Sequence, residues 1–239
     1  MYGKFMKKLV VSKYLPDTIK ESLTESFDLI LLENDPRLPI PVAAHPDMQF
    51  LCIDDTVILS KELYDTNPTL RAVIDGRFKI RFARREYTDT YPGDILLNCL
   101  RLEGYLFCKG DAVDDEVKRL CIEKGLEIVD VKQGYAACST LSVGDAVITA
   151  DTGIYESAMS KGFDALLISA GNILLKGYDH GFIGGASFYN KEKKCVYFFG
   201  NVTNHPDYYI ISDFLSVRGI RSVFYEKPEL EDFGGAVLL

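Results

Sequence analysis

The sequence has few of the features that mark metal centres, nucleotide sites or membrane spans. Only three histidines are present and the six cysteines form no C-x-x-C pair, so we expect neither a metal nor another cofactor. Neither a Walker loop nor a G-x-G-x-x-G motif occurs, and nucleotide binding loses its usual support. No apolar run approaches the roughly 18 residues that a bilayer span requires, so we expect no membrane association.

Basic residues are outnumbered by acidic ones. The 239 residues include 27 Lys and Arg against 35 Asp and Glu, which gives a net charge of −8. Such a chain has no basic patch to follow a phosphate backbone, so nucleic acid is not an expected partner. A small cationic molecule fits this charge better, and a protein with a basic surface is the second candidate partner.

The composition is that of a folded globular protein, since 47% of the residues are hydrophobic. Residues 6–11 are basic and then apolar, but the apolar part is shorter than the roughly 7 to 15 residues of a secretory signal. This segment predicts a first strand instead. We therefore expect a cytoplasmic location, where the cysteines stay reduced and most of them, including Cys52 and Cys99, pack as small apolar side chains.

Four segments each contain two short β-rich runs joined by a polar turn, which predicts four β-hairpins. They are residues 48–60, 95–108, 136–149 and 183–199. After each hairpin the sequence favours a helix, then reaches a glycine suited to a helix end, and then enters another β-rich run. These helices are expected over 61–74, where Pro68 is a disruption, and over 114–124, 155–161 and 207–218. The pattern predicts a repeated ββαβ unit with a period of roughly 40 to 50 residues.

The first unit is split between the two ends of the chain. Residues 1–40 predict a strand, a helix over 17–26 and a second strand, and the apolar run 236–239 supplies the missing hairpin strand. Joining both ends in one unit covers two sheet edges. The alternative is an open α/β sheet, which has single strands between its helices, whereas two strands precede each helix here.

We therefore predict an α/β fold in one domain, a five-bladed ββαβ propeller whose first blade is closed by the carboxyl-terminal strand. The five blades are approximately residues 1–40 with 232–239, 41–90, 91–132, 133–178 and 179–231.

This architecture resembles the pentein fold of the guanidino-group-modifying enzyme superfamily. His45-Pro-Asp47-Met48 is similar to the H-x-D element of those enzymes, and Asp232-Phe-Gly234-Gly235 to the glycine pair ahead of their last strand. More closely still, the chain resembles bacterial proteins of this fold that have no assigned function. The resemblance implies a hydrolase or amidinotransferase that acts on a guanidino or amidine-like compound. It also implies a nucleophilic cysteine on the last strand, where residues 236–239 contain none.

Residues just before the first strand of each unit would converge at the centre of such a ring. These positions carry His45 and Asp47, Asp94, Gln133, Asp179 and His180, and Asp232. Crowded carboxylates attract a cation, and paired acids hold a planar guanidinium in bidentate contact. We therefore predict that His45, Asp47, Asp94, Asp179 and Asp232 bind substrate. The alternative is that these aspartates only form turns, as residues ahead of strands often do.

Two residues are candidates for the chemistry itself. His180 is predicted to be the general acid or base, because Asp179 precedes it and Gly181 admits a ligand closely. Cys138, among small neighbours, is the candidate replacement for the missing nucleophile, and core packing is its alternative role. Whether the protein is an enzyme stays open. The rival function is a non-catalytic protein-binding or assembly factor, because the resemblance includes ribosome anti-association factors of the same fold.

Overall fold

The computed structural model describes residues 6–239. Its strands are β1 (Lys7–Ser12), β2 (Phe27–Leu32), β3 (Phe50–Ile53), β4 (Thr56–Leu59), β5 (Lys79–Phe82), β6 (Leu100–Leu102), β7 (Tyr105–Cys108), β8 (Glu127–Asp130), β9 (Thr140–Ser142), β10 (Ala146–Thr149), β11 (Asp164–Leu167), β12 (Ser187–Asn190), β13 (Cys195–Phe198), β14 (Arg221–Val223) and β15 (Val237–Leu238). Its α-helices are α1 (Asp17–Thr24), α2 (Pro46–Gln49), α3 (Lys61–Thr66), α4 (Pro68–Ile74), α5 (Asp115–Lys124), α6 (Thr152–Ser160) and α7 (Tyr208–Ser216). The predicted first unit starts at residue 1, so its first five residues lie outside the described range.

These strands form five three-stranded sheets, in the orders β15-β1-β2, β3-β4-β5, β6-β7-β8, β9-β10-β11 and β12-β13-β14. In each sheet the first two strands pair antiparallel and the last two pair parallel. Between the parallel strands the chain passes through a helix, or through α3 and α4 in the second sheet. The predicted α/β class and the ββαβ unit are confirmed. In the first sheet Leu9 lies opposite Leu238 and Val10 opposite Val237, so the carboxyl-terminal strand completes that sheet.

Two helices replace the single one predicted over 61–74, because Pro68 begins a new helix rather than only disturbing an old one. Proline is tolerated at the first helical position, where its missing N–H has no intrahelical partner to lose. The side-chain oxygen of Asn67 accepts a hydrogen bond from the Leu70 amide at 2.9 Å. Ser60 caps α3 in the same way, through the Leu63 amide at 3.0 Å.

Five buried apolar clusters lie between neighbouring sheets. One joins the first and second sheets and includes Val10 and Val57. Three more join the second sheet to the third, the third to the fourth and the fourth to the fifth. The last returns from the fifth sheet to the first, where the rings of Phe27 and Phe188 lie 5.8 Å apart. Burial of this apolar surface is the main force that holds the sheets together.

The first strand of each hairpin starts later than the sequence predicts. β3, β6, β9 and β12 begin two to five residues after the predicted starts, because the chain first makes a turn. Examples are the Asn98 amide bonded to the Ile95 carbonyl and the Ser139 amide bonded to the Tyr135 carbonyl. The apolar residues of these turns look like strand in the sequence but pack against one another. Within residues 6–239, no helix has the length and apolarity needed to cross a bilayer.

Candidate functional site

Five side chains from the segments ahead of the first strands meet at one place, which we call the central cluster: His45, Asp47, Asn98, Cys138 and Asp232. The Cys138 thiol donates a hydrogen bond to Asp47 Oδ2 at 2.7 Å. Asn98 Nδ2 donates to the Cys138 sulphur at 3.1 Å. Four of the five are almost fully buried, and Asp47 is partly exposed. The cluster therefore brings a thiol, two carboxylates and an imidazole together inside the protein.

Asn98 fixes the turn that carries the thiol. Its side-chain oxygen accepts the Ala137 amide at 2.8 Å, while its amide group donates to the Cys138 sulphur. From the other side, the Gly185 amide donates to the Cys138 carbonyl at 2.9 Å. The position of the thiol is thus set by hydrogen bonds from two other units.

Asp232 is held by backbone amides. Its carboxylate accepts the Phe182 amide and the Gly234 amide, both at 2.9 Å. A Cβ on Gly185 would lie 1.9 Å from an oxygen of Asp232, and one on Gly234, at φ +77°, would lie 2.3 Å from the Cβ of His45. The glycines ahead of β12 and β15 are therefore needed so that the backbone can approach the cluster closely.

His45 is a neutral, unpartnered imidazole. It is 3% exposed, and its Nδ1 has no hydrogen-bond partner. The nearest oxygen of Asp232 lies 3.7 Å from this nitrogen, beyond hydrogen-bond distance. Burial lowers the pKa of His45 to about 3, so the ring carries no charge at neutral pH and forms no ion pair with Asp232.

The acidic groups of the cluster are difficult to ionise. Burial raises the pKa of Asp47 to about 6, although hydrogen bonds from Cys138 and Asn98 oppose the change. Burial, and then the charge of Asp47, raise the pKa of Asp232 to about 8. Burial, followed by the charges of Asp47 and Asp232, raises the pKa of the Cys138 thiol well above its usual value. Along residues 6–239, no Lys or Arg side chain forms an ion pair with either carboxylate.

A cavity of about 210 Å³ opens onto the cluster. Its walls are formed by the rings of Tyr135, Tyr178 and Phe182, the aliphatic side chains of Val42 and Leu175, and the polar side chains of His45, Cys138, Asp179, His180 and Asp232. A concave site with aromatic walls and converging polar side chains is typical of small-molecule sites.

Of the other predicted residues, two line this cavity and two do not. Asp179 is exposed and His180 partly exposed; both line the cavity, and the His180 ring packs edge-on against Phe182 at 5.8 Å. Asp94 is buried and accepts a hydrogen bond from the Tyr135 hydroxyl at 2.6 Å. The Gln133 side chain accepts the Tyr135 amide. Asp94 and Gln133 therefore contact Tyr135 rather than the thiol.

A second cavity of about 370 Å³ lies on the other side of the cluster. Residues from β3, β6, β9, β12 and β15, the first strand of every unit, line it together with Asp47. Cys52, on β3, is partly exposed in this wall, whereas Cys99 is buried in the core as expected.

Sequence reasoning missed Asn98 and the metal-binding potential of the cluster. Asn98 is the one polar residue in the apolar run 95–100, and that contrast was the available signal. A ring nitrogen of His45, a carboxylate oxygen of Asp47 and the sulphur of Cys138 all lie within 4.8 Å of one another, a spacing that could hold a metal ion. Because Asp47 and Cys138 are 91 positions apart, no local sequence motif contains both.

Comparisons with known proteins agree with this fold. The model of the family described as "Family of unknown function (DUF6873)" matches residues 10–237. The comparison with curated protein sequences gave no match.

Three solved structures show the same architecture at low sequence identity. A variant of DDAH from Pseudomonas aeruginosa, complexed with citrulline, is 14% identical, with a TM-score of 0.56 over 96% of this chain and 93% of that one. SxtG, an amidinotransferase of Microseira wollei, is 11% identical, with a TM-score of 0.60 over 92% and 78%. The N-terminal domain of ArgZ, a cyanobacterial arginine dihydrolase, is 10% identical, with a TM-score of 0.56 over 92% and 90%. These neighbours share the pentein fold, so the predicted resemblance to it is confirmed.

Proposed function

Because the chain belongs to the DUF6873 family and has a pentein-type fold, we propose that its central cluster binds a guanidino or amidine-like small molecule. We further propose that it modifies this molecule through Cys138, as a hydrolase or an amidinotransferase. One observation carries the proposal: the buried Asp232 and the partly exposed Asp47 flank a free thiol beside a cavity, and neither pairs with a Lys or Arg of residues 6–239.

The proposal includes the arrangement of the five sheets as blades around one axis, within a single domain. The blades are residues 1–40 with 232–239, 41–90, 91–132, 133–178 and 179–231. Two features support it. The buried clusters join each sheet to the next and the fifth to the first, and the first strand of every unit lines the same cavity.

A planar cation fits the polar and aromatic walls of the smaller cavity. Asp232 presents its carboxyl group in this wall beside Cys138, and Asp47, which lines the larger cavity, reaches the same thiol from its other side. A guanidinium can donate forked hydrogen bonds to such acids. The rings of Tyr178 and Phe182 line the same cavity, and aromatic rings attract a cation bound beside them. Asp179 lies at the exposed edge, where it would meet a second charged group of the ligand. Asp94 would act indirectly, by holding Tyr135.

The thiol needs the ligand in order to react. Its raised pKa is due to burial and then to Asp47 and Asp232, and a cation bound between these acids offsets their charges and favours the thiolate. The Cys138 sulphur then attacks the central carbon of the ligand, and its proton passes to Asp47 Oδ2, 2.7 Å away. The tetrahedral adduct expels an amine, which takes up the proton that Asp47 received, and His180 at the cavity wall accepts the proton of the incoming nucleophile. Water or an acceptor amine then releases the product from the sulphur.

The rival hypothesis is a non-catalytic binding or assembly protein. It is favoured by the raised pKa of Cys138, because catalytic cysteines commonly have a lowered pKa. A binding protein needs no thiolate.

Thermal unfolding of the full chain with arginine, agmatine and methylated guanidines tests the proposal. Lysine serves as a cation without a planar guanidinium. We expect Tm to rise with the concentration of at least one guanidino compound but not with lysine, because binding to the native state stabilises it. Asp47→Asn should reduce the shift, whereas Asp65→Asn, which changes an exposed aspartate on α3, should retain it.

Absence of a shift with every guanidino compound would refute the ligand class. Ammonia or ureido product formed by the wild type and lost in Cys138→Ser would support catalysis. Turnover retained by Cys138→Ser would refute the role of that thiol, and binding without turnover would favour the non-catalytic hypothesis.

A further inference from the structure

Three side chains of the central cluster that can each bind a metal ion lie close together. The ring nitrogen of His45, the carboxylate oxygen of Asp47 and the sulphur of Cys138 lie within 4.8 Å of one another. Zinc takes nitrogen, oxygen and thiolate ligands at about 2.0 to 2.3 Å. Shifts of about 1 Å in these side chains would therefore bring all three into its coordination sphere.

Two atoms of this group have no hydrogen-bond partner among residues 6–239. His45 Nδ1 and Asp47 Oδ1 are both buried and accept or donate no hydrogen bond. The His45 side chain is only 4% exposed. Buried polar groups nearly always have a partner, and an orphan calls for an explanation such as a bound ion. An ion held by His45 and Asp47 supplies that explanation for both groups.

The surrounding groups suit a bound cation. Asn98 donates a hydrogen bond to the Cys138 sulphur, which would stabilise a thiolate and fix its direction. Asp232 places a carboxyl oxygen 3.7 Å from His45 Nδ1, and a cation bound beside it would favour ionisation of that carboxyl group. His45 and Cys138 both line the 210 Å³ cavity, so a fourth coordination position would face open space.

We propose that His45, Asp47 and Cys138 form a zinc site with three protein ligands and a fourth position open to the cavity. Three ligands and one open position characterise zinc sites that bind water or substrate rather than purely structural ones. On binding, the proton shared between the thiol and Asp47 is released to solvent, and the sulphur bonds to the metal instead. The proposal does not require the guanidino function. Because both use the same sulphur, bound zinc would block covalent modification through Cys138.

Cobalt substitution tests the site without reference to activity. The full chain is treated with a chelator, dialysed and titrated with Co²⁺ while the absorption spectrum is recorded. We expect saturation at one equivalent, with a thiolate-to-cobalt charge-transfer band and the intense visible bands of a four-coordinate ion, and reversal of both by Zn²⁺. Cys138→Ser should lose the charge-transfer band. Asp47→Asn should keep the sulphur ligand but weaken Co²⁺ binding by at least tenfold. Loss of a residue that only hydrogen-bonds to a metal ligand already weakens metal binding by about that factor.

Cys52→Ser is the matched control, because Cys52 is a second free thiol that lines a cavity but lies on β3, outside the central cluster. This variant should give the wild-type cobalt spectrum. Far-ultraviolet circular dichroism establishes whether each variant is folded. If Cys138→Ser does not fold, the Co²⁺ affinity of Asp47→Asn tests the proposal. The proposal is wrong if no charge-transfer band forms, if the band survives in Cys138→Ser, or if Asp47→Asn binds Co²⁺ as tightly as the wild type. Thermal shifts with guanidino compounds, measured on the metal-free protein, report separately on the proposed function.

Discussion

Replacing Asp47 by Asn should change how the stability of the metal-free protein depends on pH. The pKa of Asp47 is about 6 in the folded protein, against an ordinary value of 3.8. A carboxyl group with a raised pKa in the folded state favours folding in its protonated form. Its contribution is therefore complete below about pH 4 and is lost as the pH rises through about 6.

The size of this loss follows from the shift. A difference of about two pKa units corresponds to about 3 kcal/mol at 1.36 kcal/mol per unit, which is an upper limit because Asp47 is partly exposed to a cavity. The amide in the Asp47→Asn variant cannot ionise, so the substitution removes this component. Between pH 4 and 7, the free energy of unfolding of the wild type should therefore fall by up to about 3 kcal/mol more than that of the variant.

Urea unfolding of both proteins at several pH values measures this difference. The comparison uses the slope of the unfolding free energy against pH for each protein. Any pH-independent cost of the new amide group, such as a lost hydrogen bond to Cys138, does not affect these slopes. Asp94→Asn provides a control for the loss of a buried acid whose hydrogen-bond partner is Tyr135. Parallel pH profiles for the wild type and Asp47→Asn would refute the description of Asp47 as an unpaired, buried acid.

Three other outcomes are expected. The affinity for a guanidino compound should increase by up to tenfold per pH unit between about pH 6 and 8, because the pKa of Asp232 is about 8 and its proton must leave before it can pair with a cation. A Kd that calorimetry finds independent of pH would contradict this. Asn98→Ala should lower the free energy of unfolding by about 1 to 3 kcal/mol, because it leaves the half-buried Ala137 amide without its partner, and an unchanged urea midpoint would count against the assigned contact. Gly185→Ala should lower Tm and abolish ligand binding, since its Cβ would overlap the Asp232 carboxylate, and wild-type behaviour of that variant would mean that the close approach is wrong.

The repeated unit was predictable because its signals are local. Hairpins show two-residue alternation with polar turns, and helix ends show glycine; Gly125, which ends α5, has the left-handed conformation expected of it, with φ +66°. The turn segments ahead of β6 and β9 were not predictable, because apolar residues such as Leu96 and Leu97 look the same in a strand and in a buried turn. Tertiary packing decided between the two.

The candidate site was only partly predictable, since its parts come from distant positions. The repeat placed Asp47 and Asp232 ahead of first strands, and the structure brings both to Cys138. The same reasoning could not tell that Asp94 would bond to Tyr135, or that Asn98, inside an apparent strand, would hold the thiol. Side-chain direction at a crowded centre depends on contacts among units, and those contacts are absent from any single segment.

Alkylation of Cys138 tests most directly whether this thiol lies in a cation-binding site. The measured quantity is the rate with a cationic reagent divided by the rate with a neutral reagent of similar shape. Metal-free protein is treated with 2-chloroacetamidine or with 2-chloroacetamide, and each cysteine is quantified by peptide mass spectrometry. The rate ratio at Cys52 corrects for the intrinsic reactivity of the two reagents. Relative to that ratio, we predict that the amidinium labels Cys138 at least about tenfold faster, the factor given by about 1.4 kcal/mol of attraction to Asp47 and Asp232. Equal ratios at Cys138 and Cys52 would contradict the account.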